Sequence, residues 1–473
     1  MKKAAAVMML AVAATALGCA RQASYSLLAA TPAGDGHFVL AGSATAPHRP
    51  GTGWLLSLDG SGRTVFDRSV PGTPFDGEGT VRQLGDNLFI AAGQSAIWFD
   101  KSGMLIESRN LYFTTLFARP SGNGGVVLGG ISDSMVGTGP APVGYAGATD
   151  LPRPVTNVPA ENGESGYIDA MQYVHRVSAV IKVFGGDRKQ LDSKRFGVIP
   201  RSIIPVGDGY LITGYINGKG LAAESFARVI MLDSKLGIRW WRDFDFIKDK
   251  PDLSDIRGAA ATADGGVILL GTVLTGEHMV RNGDVSMAKV GLVEVIRLSP
   301  AGETVWQKEF AAALTPAPLF AAGDGGATVV FNDNGALGVV RFAPDGVMTW
   351  KKTVGGPGWR IRAVAPAEDG IVVAGDAHGS GAAEAFLAKI DRAGAVSWRT
   401  AVAGFSEPAQ AHGNELIDAD QWQIVPARDG WFVLATGRSK IGCAGAEVTM
   451  ALRFGAGGNL IWERRFAGVD GQK

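Results

Sequence analysis

The sequence predicts an all-β protein that folds as a single eight-bladed β-propeller of four-stranded antiparallel blades, with seven blades as the alternative count. Three observations support this fold class. A turn followed by an apolar run recurs eight times, a second motif with an aromatic residue recurs between its copies, and 67 of the 473 residues are glycine. Glycine provides the positive φ angles of tight hairpin turns, so its abundance favours many short strands over long helices.

The first repeated element is a short turn that precedes a β-rich apolar run. Asp-Gly and Asn-Gly between apolar runs are strong hairpin signals, because both central residues of a type I′ turn have positive φ. Successive turns are mostly about 45 to 60 residues apart, which is near the period of propeller blades. The eight copies are Asp35-Gly36, Gly85-Asp86-Asn87, Asn123-Gly124-Gly125, Asp208-Gly209, Asp264-Gly265-Gly266, Asp324-Gly325-Gly326, Asp369-Gly370 and Asp429-Gly430.

The second repeated element is a glycine turn with an aromatic residue four positions later. The second repeat has Glu107 in the aromatic position, and the third keeps only a degenerate form around Phe196. Periodic aromatic side chains usually pack one blade against the next, although such a row could also line a ligand pocket. The six regular pairs are Gly62 with Phe66, Gly237 with Trp241, Gly302 with Trp306, Gly346 with Trp350, Gly394 with Trp398, and Gly458 with Trp462.

The clearest copy of this element, from Asp391 to Trp398, reads D-x-x-G-x-x-x-W and resembles the blades of quinoprotein-like propellers. That group includes the outer-membrane β-barrel assembly lipoprotein. The resemblance covers roughly residues 27–473 and implies the fold more than a function. The repeats divide this segment into blades at 27–72, 73–113, 114–198, 199–246, 247–311, 312–356, 357–404 and 405–473.

Residues 1–18 are predicted to be a lipoprotein signal peptide. Two lysines precede an apolar stretch that ends at Leu17 and is too short to span a bilayer comfortably. The sequence Ala16-Leu17-Gly18-Cys19 resembles the lipobox of bacterial lipoproteins, whose cysteine carries diacylglycerol, although the commonest pattern has leucine in place of Ala16. An ordinary secretion signal with a coincidental cysteine is the alternative.

Lipidation of Cys19 would make residues 19–26 a lipidated linker and leave Cys443 as the only thiol. An intramolecular disulfide would then be impossible. Ala20 rather than aspartate follows the cysteine, and in lipoproteins of double-membraned bacteria this pattern usually implies the outer membrane. The expected location is therefore the bacterial cell envelope, on a face that the sequence leaves open.

The longest connections are expected on one face of the ring. In a four-stranded meander, the second-to-third and blade-to-blade connections lie at the opposite end from the two hairpin turns. Residues 132–178 and 273–292 expand blades three and five, and 242–257 and 404–420 join successive blades. Long loops in a compact fold are usually functional or disordered, so we expect the binding surface here. Tolerated surface decoration is the alternative.

Candidate contact residues also fall in or beside these loops. Trp359, in a predicted blade-to-blade turn, is the best candidate for an exposed aromatic contact. Imidazole and carboxylate groups suit several divalent ions, but only Asp376-x-His378 has the close spacing of a preformed site, so no metal site is assigned. The histidines that could converge with Asp376 are His48, His278, His378 and His412.

An acidic run between Asp243 and Asp255 lacks the residue order of an EF-hand and is interleaved with basic residues. We therefore expect a self-compensated loop rather than a calcium site. The motifs of P-loop proteins, zinc proteases and nucleophile-elbow hydrolases are all missing. Lysine plus arginine balance aspartate plus glutamate at 45 each, which disfavours nucleic acid as a partner.

These observations favour a membrane-anchored, non-catalytic propeller that acts as a protein-binding or scaffolding lipoprotein of the cell envelope. No catalytic residue and no cofactor are assigned, and whether the chain is an enzyme stays open. One alternative is a quinone- or metal-dependent enzyme with its site at the channel mouth. The adjacent cysteine pair found in many quinone-dependent dehydrogenases of similar fold has no counterpart here. A surface glycan- or peptide-binding module is the other alternative.

Overall fold

The computed structural model contains eight sheets that form a ring, and it describes most of the chain from Ser24 to Ala467. The described residues are strands and turns without a helix. They are 24–33, 36–45, 52–70, 79–84, 87–121, 124–136, 174–216, 226–244, 255–273, 280–281, 284–285, 292–311, 319–321, 324–333, 336–355, 359–377, 384–402, 405–406, 422–439 and 447–467.

Each blade is a four-stranded antiparallel sheet whose strands pair in chain order, so the prediction of eight four-stranded blades is confirmed. Blades 1 to 4 comprise β1 (Ser24–Pro32), β2 (Phe38–Thr45), β3 (Thr52–Leu58) and β4 (Thr64–Val70); β5 (Gly79–Leu84), β6 (Asn87–Ala92), β7 (Ser95–Phe99) and β8 (Leu105–Asn110); β9 (Thr114–Pro120), β10 (Val126–Val136), β11 (Val174–Phe184) and β12 (Gln190–Phe196); and β13 (Ile199–Val206), β14 (Gly209–Ile216), β15 (Phe226–Leu232) and β16 (Ile238–Phe244).

Blades 5 and 8 carry short additional strands. Blades 5 to 8 comprise β17 (Asp255–Ala261), β18 (Val267–Val273), the two-strand hairpin of β19 (Val280–Arg281) and β20 (Asp284–Val285), β21 (Leu292–Leu298) and β22 (Thr304–Ala311); β23 (Leu319–Ala321), β24 (Ala327–Asp333), β25 (Ala336–Phe342) and β26 (Met348–Val354); β27 (Trp359–Ala367), β28 (Gly370–Ala377), β29 (Glu384–Asp391) and β30 (Val396–Val402); and β31 (Phe405–Ser406), β32 (Trp422–Ala427), β33 (Gly430–Ser439), β34 (Glu447–Gly455) and β35 (Leu460–Ala467). Because β1 begins at Ser24, the first blade includes the end of the segment predicted to be a linker.

The first strand of each blade lies innermost and the fourth lies outermost. Inner strands contact their neighbours around the ring, as β1 contacts β5 on one side and β32 on the other. The second and third strands are buried on both faces, because neighbouring blades cover them. This double burial explains why they read as continuous apolar runs rather than as alternating patterns.

Among the described strands, each blade is built from one continuous stretch of chain, so none of these strands is exchanged between blades where the ring closes. Blades 8 and 1 meet through stacked rings of Phe432 and Phe38, whose centroids are 4.4 Å apart. The backbone N–H of Ala30 also donates to Oε1 of Gln423 at 2.9 Å. Closure therefore depends on side-chain packing across this seam.

Aromatic side chains of the fourth strands pack on the glycine turn of the next blade. A Cβ placed on Gly346 would lie 2.6 Å from the ring of Trp306, whose Nε1 donates to the carbonyl of Pro344 at 2.8 Å. The structure thus agrees with the packing interpretation of these aromatics. The six pairs are Phe66 on Gly103, Trp240 on Gly302, Trp306 on Gly346, Trp350 on Gly394, Trp398 on Gly458, and Trp462 on Gly62.

Two positions of this motif differ from the prediction. In blade 4 the ring on the neighbouring turn belongs to Trp240, not Trp241, and the turn residue with positive φ is Leu236 at 59° rather than Gly237. In blade 3 the residue that pairs with the third strand at the aromatic position is Asp192. Phe196 lies at the far end of β12, in the core.

Candidate binding surface at the channel mouth

The inner strands of five blades contain a β-bulge at the same place, in blades 1, 3, 4, 5 and 7. In blade 5, Ile256 pairs with Gly271 and Gly258 pairs with Leu270, so Arg257 is the extra residue of the bulge. Each bulge lies beside a glycine of the second strand. A Cβ on Gly214 of blade 4 would lie 2.1 Å from the carbonyl oxygen of Ile199, so the close backbone approach requires glycine.

The bulged residue is an arginine in three blades and a leucine in two. It is Arg201, Arg257 and Arg362 in blades 4, 5 and 7, and Leu28 and Leu116 in blades 1 and 3. The bulge occurs near the start of the inner strand, at the end that carries the second-to-third and blade-to-blade connections. We call this end the insert-bearing face. Bulges redirect side chains and are enriched beside functional sites.

Asp376, a predicted contact residue, is paired with one of these arginines. Its carboxylate is 5% exposed and accepts a hydrogen bond from Nε of Arg362 at 2.8 Å. A buried carboxylate of this kind needs such a partner, because an unpaired buried charge is costly. The pair fixes the guanidinium of Arg362 at the channel mouth.

Trp359 begins β27 and is half-buried, rather than lying in an open turn. Its ring packs against Phe386 with centroids 4.2 Å apart and covers Gly355 at the junction of blades 6 and 7. The guanidinium of Arg399 lies 5.6 Å from the ring centroid. Trp359 therefore contributes to packing between strands. It also contributes to the surface near Asp376, because the next residue, Arg360, is the ladder partner of Asp376.

The remaining predicted residues lie outside the described part of the chain. They are Cys19, His48, His278, His378 and His412. Within the described residues, no three histidine, cysteine, aspartate or glutamate side chains group closely enough to hold a metal ion. Asp243, at the start of the acidic run, forms hydrogen bonds of 2.6 and 2.7 Å with Arg228.

The expansion of blade 3 is shorter than predicted, because β10 and β11 remain paired as far as Val136 and Val174. Ser132 and Ser178, the predicted limits, face each other within this ladder. The connection therefore comprises residues 137–173. It leaves the ladder at the insert-bearing face, as the connections after β16 and β18 also do.

The opposite face carries a repeated ion pair that the sequence reading missed. In blades 5 to 8 the aspartate of the first turn pairs with a basic residue of the third strand. Hydrogen bonding from Arg341 lowers the pKa of Asp324, and hydrogen bonding from Lys389 lowers the pKa of Asp369. The sequence does carry a signal for these pairs, namely a basic residue five positions before the glycine of the second repeated element. The pairs are Asp264 with Arg297, Asp324 with Arg341, Asp369 with Lys389, and Asp429 with Arg453.

No helix in the described residues is long and apolar enough to cross a membrane. No protein-family model matches the chain, and no curated protein matches it.

Several solved structures are similar in fold. The chain is 9% identical to the β-propeller domain of the Trilobed protease from Pyrococcus furiosus, with 78% of this chain and 95% of that chain covered and a TM-score of 0.40. It is 9% identical to a quinonprotein alcohol dehydrogenase-like protein from Bacteroides thetaiotaomicron, covering 80% and 88% at a TM-score of 0.38. For the Pan2 WD40 domain of Neurospora crassa, identity is 9%, coverage 75% and 86%, and the TM-score 0.39. These likenesses concern the fold alone.

Proposed function

We propose that this propeller is a lipid-anchored, non-catalytic protein-binding scaffold of the bacterial cell envelope. One observation carries the proposal: the long connections after β10, β16 and β18 all leave the ring at the insert-bearing face. The turns of the opposite face are short and closed by hydrogen bonds within a few residues. Variable connections on one face of a rigid ring are a common way to build a binding surface.

The ring supplies the rigidity that such a surface needs. Adjacent blades pack through aromatic side chains at six seams. Hydrogen bonds cross several of these seams, such as that from Trp462 Nε1 to Gly60 O at 2.9 Å. A binding surface on a rigid support loses less conformational entropy when a partner docks. The blades therefore hold the connections, and the connections provide the specificity.

The connection after β10 offers a direct test. Val136 and Val174 are ladder partners, so a two-residue Asn-Gly turn can replace residues 137–173 and close the hairpin. The full-length protein and this variant would be cross-linked in cell envelopes, and captured proteins identified by mass spectrometry. We expect at least one partner captured by the wild type to be lost from the variant.

Lys101→Glu is the matched control, because Lys101 is exposed in a short turn of the opposite face. It should retain every partner. If Lys101→Glu loses the partners while the shortened variant keeps them, the binding surface is on the other face and the proposal is wrong. A stoichiometric transition metal or a quinone absorbance in the purified protein would instead support the enzyme alternative.

The lipid anchor is tested separately with Cys19→Ala in the full chain. The proposal expects the wild type to sediment with membranes and to incorporate a labelled fatty acid. The variant should lose the label. Membrane association and labelling that persist in Cys19→Ala would exclude this cysteine as the anchor.

A further inference from the structure

The inner strands concentrate positive charge in a chain whose net charge is zero. In the described ranges of β1, β5, β9, β13, β17, β23, β27 and β32 there are six arginines and one aspartate, without lysine or glutamate. These strands form the wall of the central channel. The arginines are Arg82, Arg119, Arg201, Arg257, Arg360 and Arg362.

Two of the bulged arginines lie on neighbouring strands of this wall. Arg201 and Arg257 are exposed, whereas the residues just before them, Pro200 and Ile256, are buried. Their strands, β13 and β17, contact each other. The equivalent bulge position places both side chains at the same level of the channel, at the insert-bearing face.

One of these two arginines packs on an aromatic ring. The guanidinium of Arg201 lies 5.6 Å from the ring centroid of Tyr215, a cation–π arrangement. The residues that follow the bulges are small, Ser202 in β13 and Gly258 in β17. A third bulged arginine, Arg362, lies in blade 7 and is ion-paired with Asp376 at 2.8 Å, so it is not part of this pair.

We propose that this channel mouth binds a small anionic ligand with two or more carboxylate or phosphate groups, held by Arg201 and Arg257. Guanidinium groups bind such oxyanions in a bidentate manner, and an excess of positive charge along a channel wall attracts anions. Two arginines on adjacent blades match a ligand with two separated anionic groups. The proposed site does not require a protein partner, so the result of its test is independent of the proposed scaffold function.

Isothermal titration of the full chain at low ionic strength tests the site, with citrate as the carboxylate probe and pyrophosphate as the phosphate probe. We expect saturable binding of at least one probe, weakened as salt is added. Arg201→Gln and Arg257→Gln should each weaken binding about tenfold, which corresponds to about 1.4 kcal/mol. The probe that binds more tightly identifies the anionic group of the ligand.

Arg239→Gln is the matched control, because it removes the same charge from an exposed arginine on β16 that pairs with Asp208 at 2.7 Å. Its affinity for the probe should change less than about twofold, which corresponds to about 0.4 kcal/mol. Thermal unfolding of each variant verifies that it is folded. Absence of binding by both probes to the folded wild type, or equal weakening by Arg239→Gln, would overturn the proposal.

Discussion

Glu107 and Arg188 form an ion pair between blades 2 and 3, with Nε and Oε2 3.0 Å apart, where six other seams have an aromatic ring on a glycine. Arg188 has a φ of 66° and occupies the turn position that is glycine in six other blades. Burial opposes ionisation of Glu107, but hydrogen bonds from Arg109 and Arg188 hold its pKa below the ordinary value. At this seam both residues of the aromatic–glycine stack are thus replaced, and the two replacements attract each other as an ion pair.

The same joint exchange occurs between blades 3 and 4. Asp192 lies at the aromatic position and Leu236 at the turn position, with a φ of 59°. Without a ring above it, the turn can carry a side chain. The backbone carbonyl of Leu236 still accepts a hydrogen bond from Lys194 at 3.2 Å, as Gly302 does from Arg242 in the next seam.

This relationship predicts that Glu107→Trp and Arg188→Gly are non-additive. Each single change breaks the ion pair, and the tryptophan meets an arginine side chain when it is introduced alone. Only the double variant forms the aromatic–glycine stack. In urea unfolding we expect the double variant to be more stable than either single variant by about 1 kcal/mol or more. Additive losses would show that the two positions are not coupled.

Gly302 should tolerate alanine poorly. It has a φ of 82°, and an added Cβ would lie 2.7 Å from the ring of Trp240. We expect Gly302→Ala to lower the free energy of unfolding by about 2 to 4 kcal/mol, from backbone strain and overpacking together. Gly265 of the same blade has a φ of 80° but only one heavy atom as near as 4.0 Å. Gly265→Ala should cost only about 1 kcal/mol, and an equal loss in both would refute the packing argument.

Phe432→Ala should weaken closure of the ring. The side chain is fully buried and stacks on Phe38 across the seam between blades 8 and 1. Truncation of a buried phenylalanine costs about 3 to 5 kcal/mol. Ile461→Ala in the same blade, at a side chain that is 49% exposed, should change stability by about 0.5 kcal/mol or less. Denaturant unfolding measures both, and similar effects would mean that this seam does not stabilise the fold.

Asp233→Asn should reduce the pH dependence of stability. The backbone N–H of Gly237 donates to Asp233 Oδ1 at 2.7 Å and that of Lys235 at 2.8 Å, and these bonds lower the pKa of the carboxyl. A lowered folded-state pKa stabilises the protein above the unfolded-state pKa, and this contribution is lost as the pH falls through the folded-state value. Urea midpoints at neutral and acidic pH should therefore differ more for the wild type than for Asp233→Asn. An unchanged difference would contradict this role for Asp233.

The repeats alone were sufficient to predict the eight blades, because local signals specify them. An Asp-Gly turn such as Asp264-Gly265 needs only its own φ angles, and a buried middle strand needs only a continuous apolar run. The aromatic spacing also predicted that Trp306 and Trp462 pack between blades. In β16 the spacing from Gly237 selected Trp241, which was wrong. The turn residue with positive φ is Leu236, and Trp240, four residues later, packs on the next blade.

Only the tertiary structure determined the relationships between residues that are far apart in the chain. Glu107 and Arg188 are 81 residues apart, so no local pattern indicated that they compensate for each other. The arginines of the channel mouth share a bulge position that appears only when the inner strands are aligned through their ladders. Local turn and strand preferences act within a few residues and can be read from sequence, whereas seams and channel walls arise from contacts that exist only once the ring has closed.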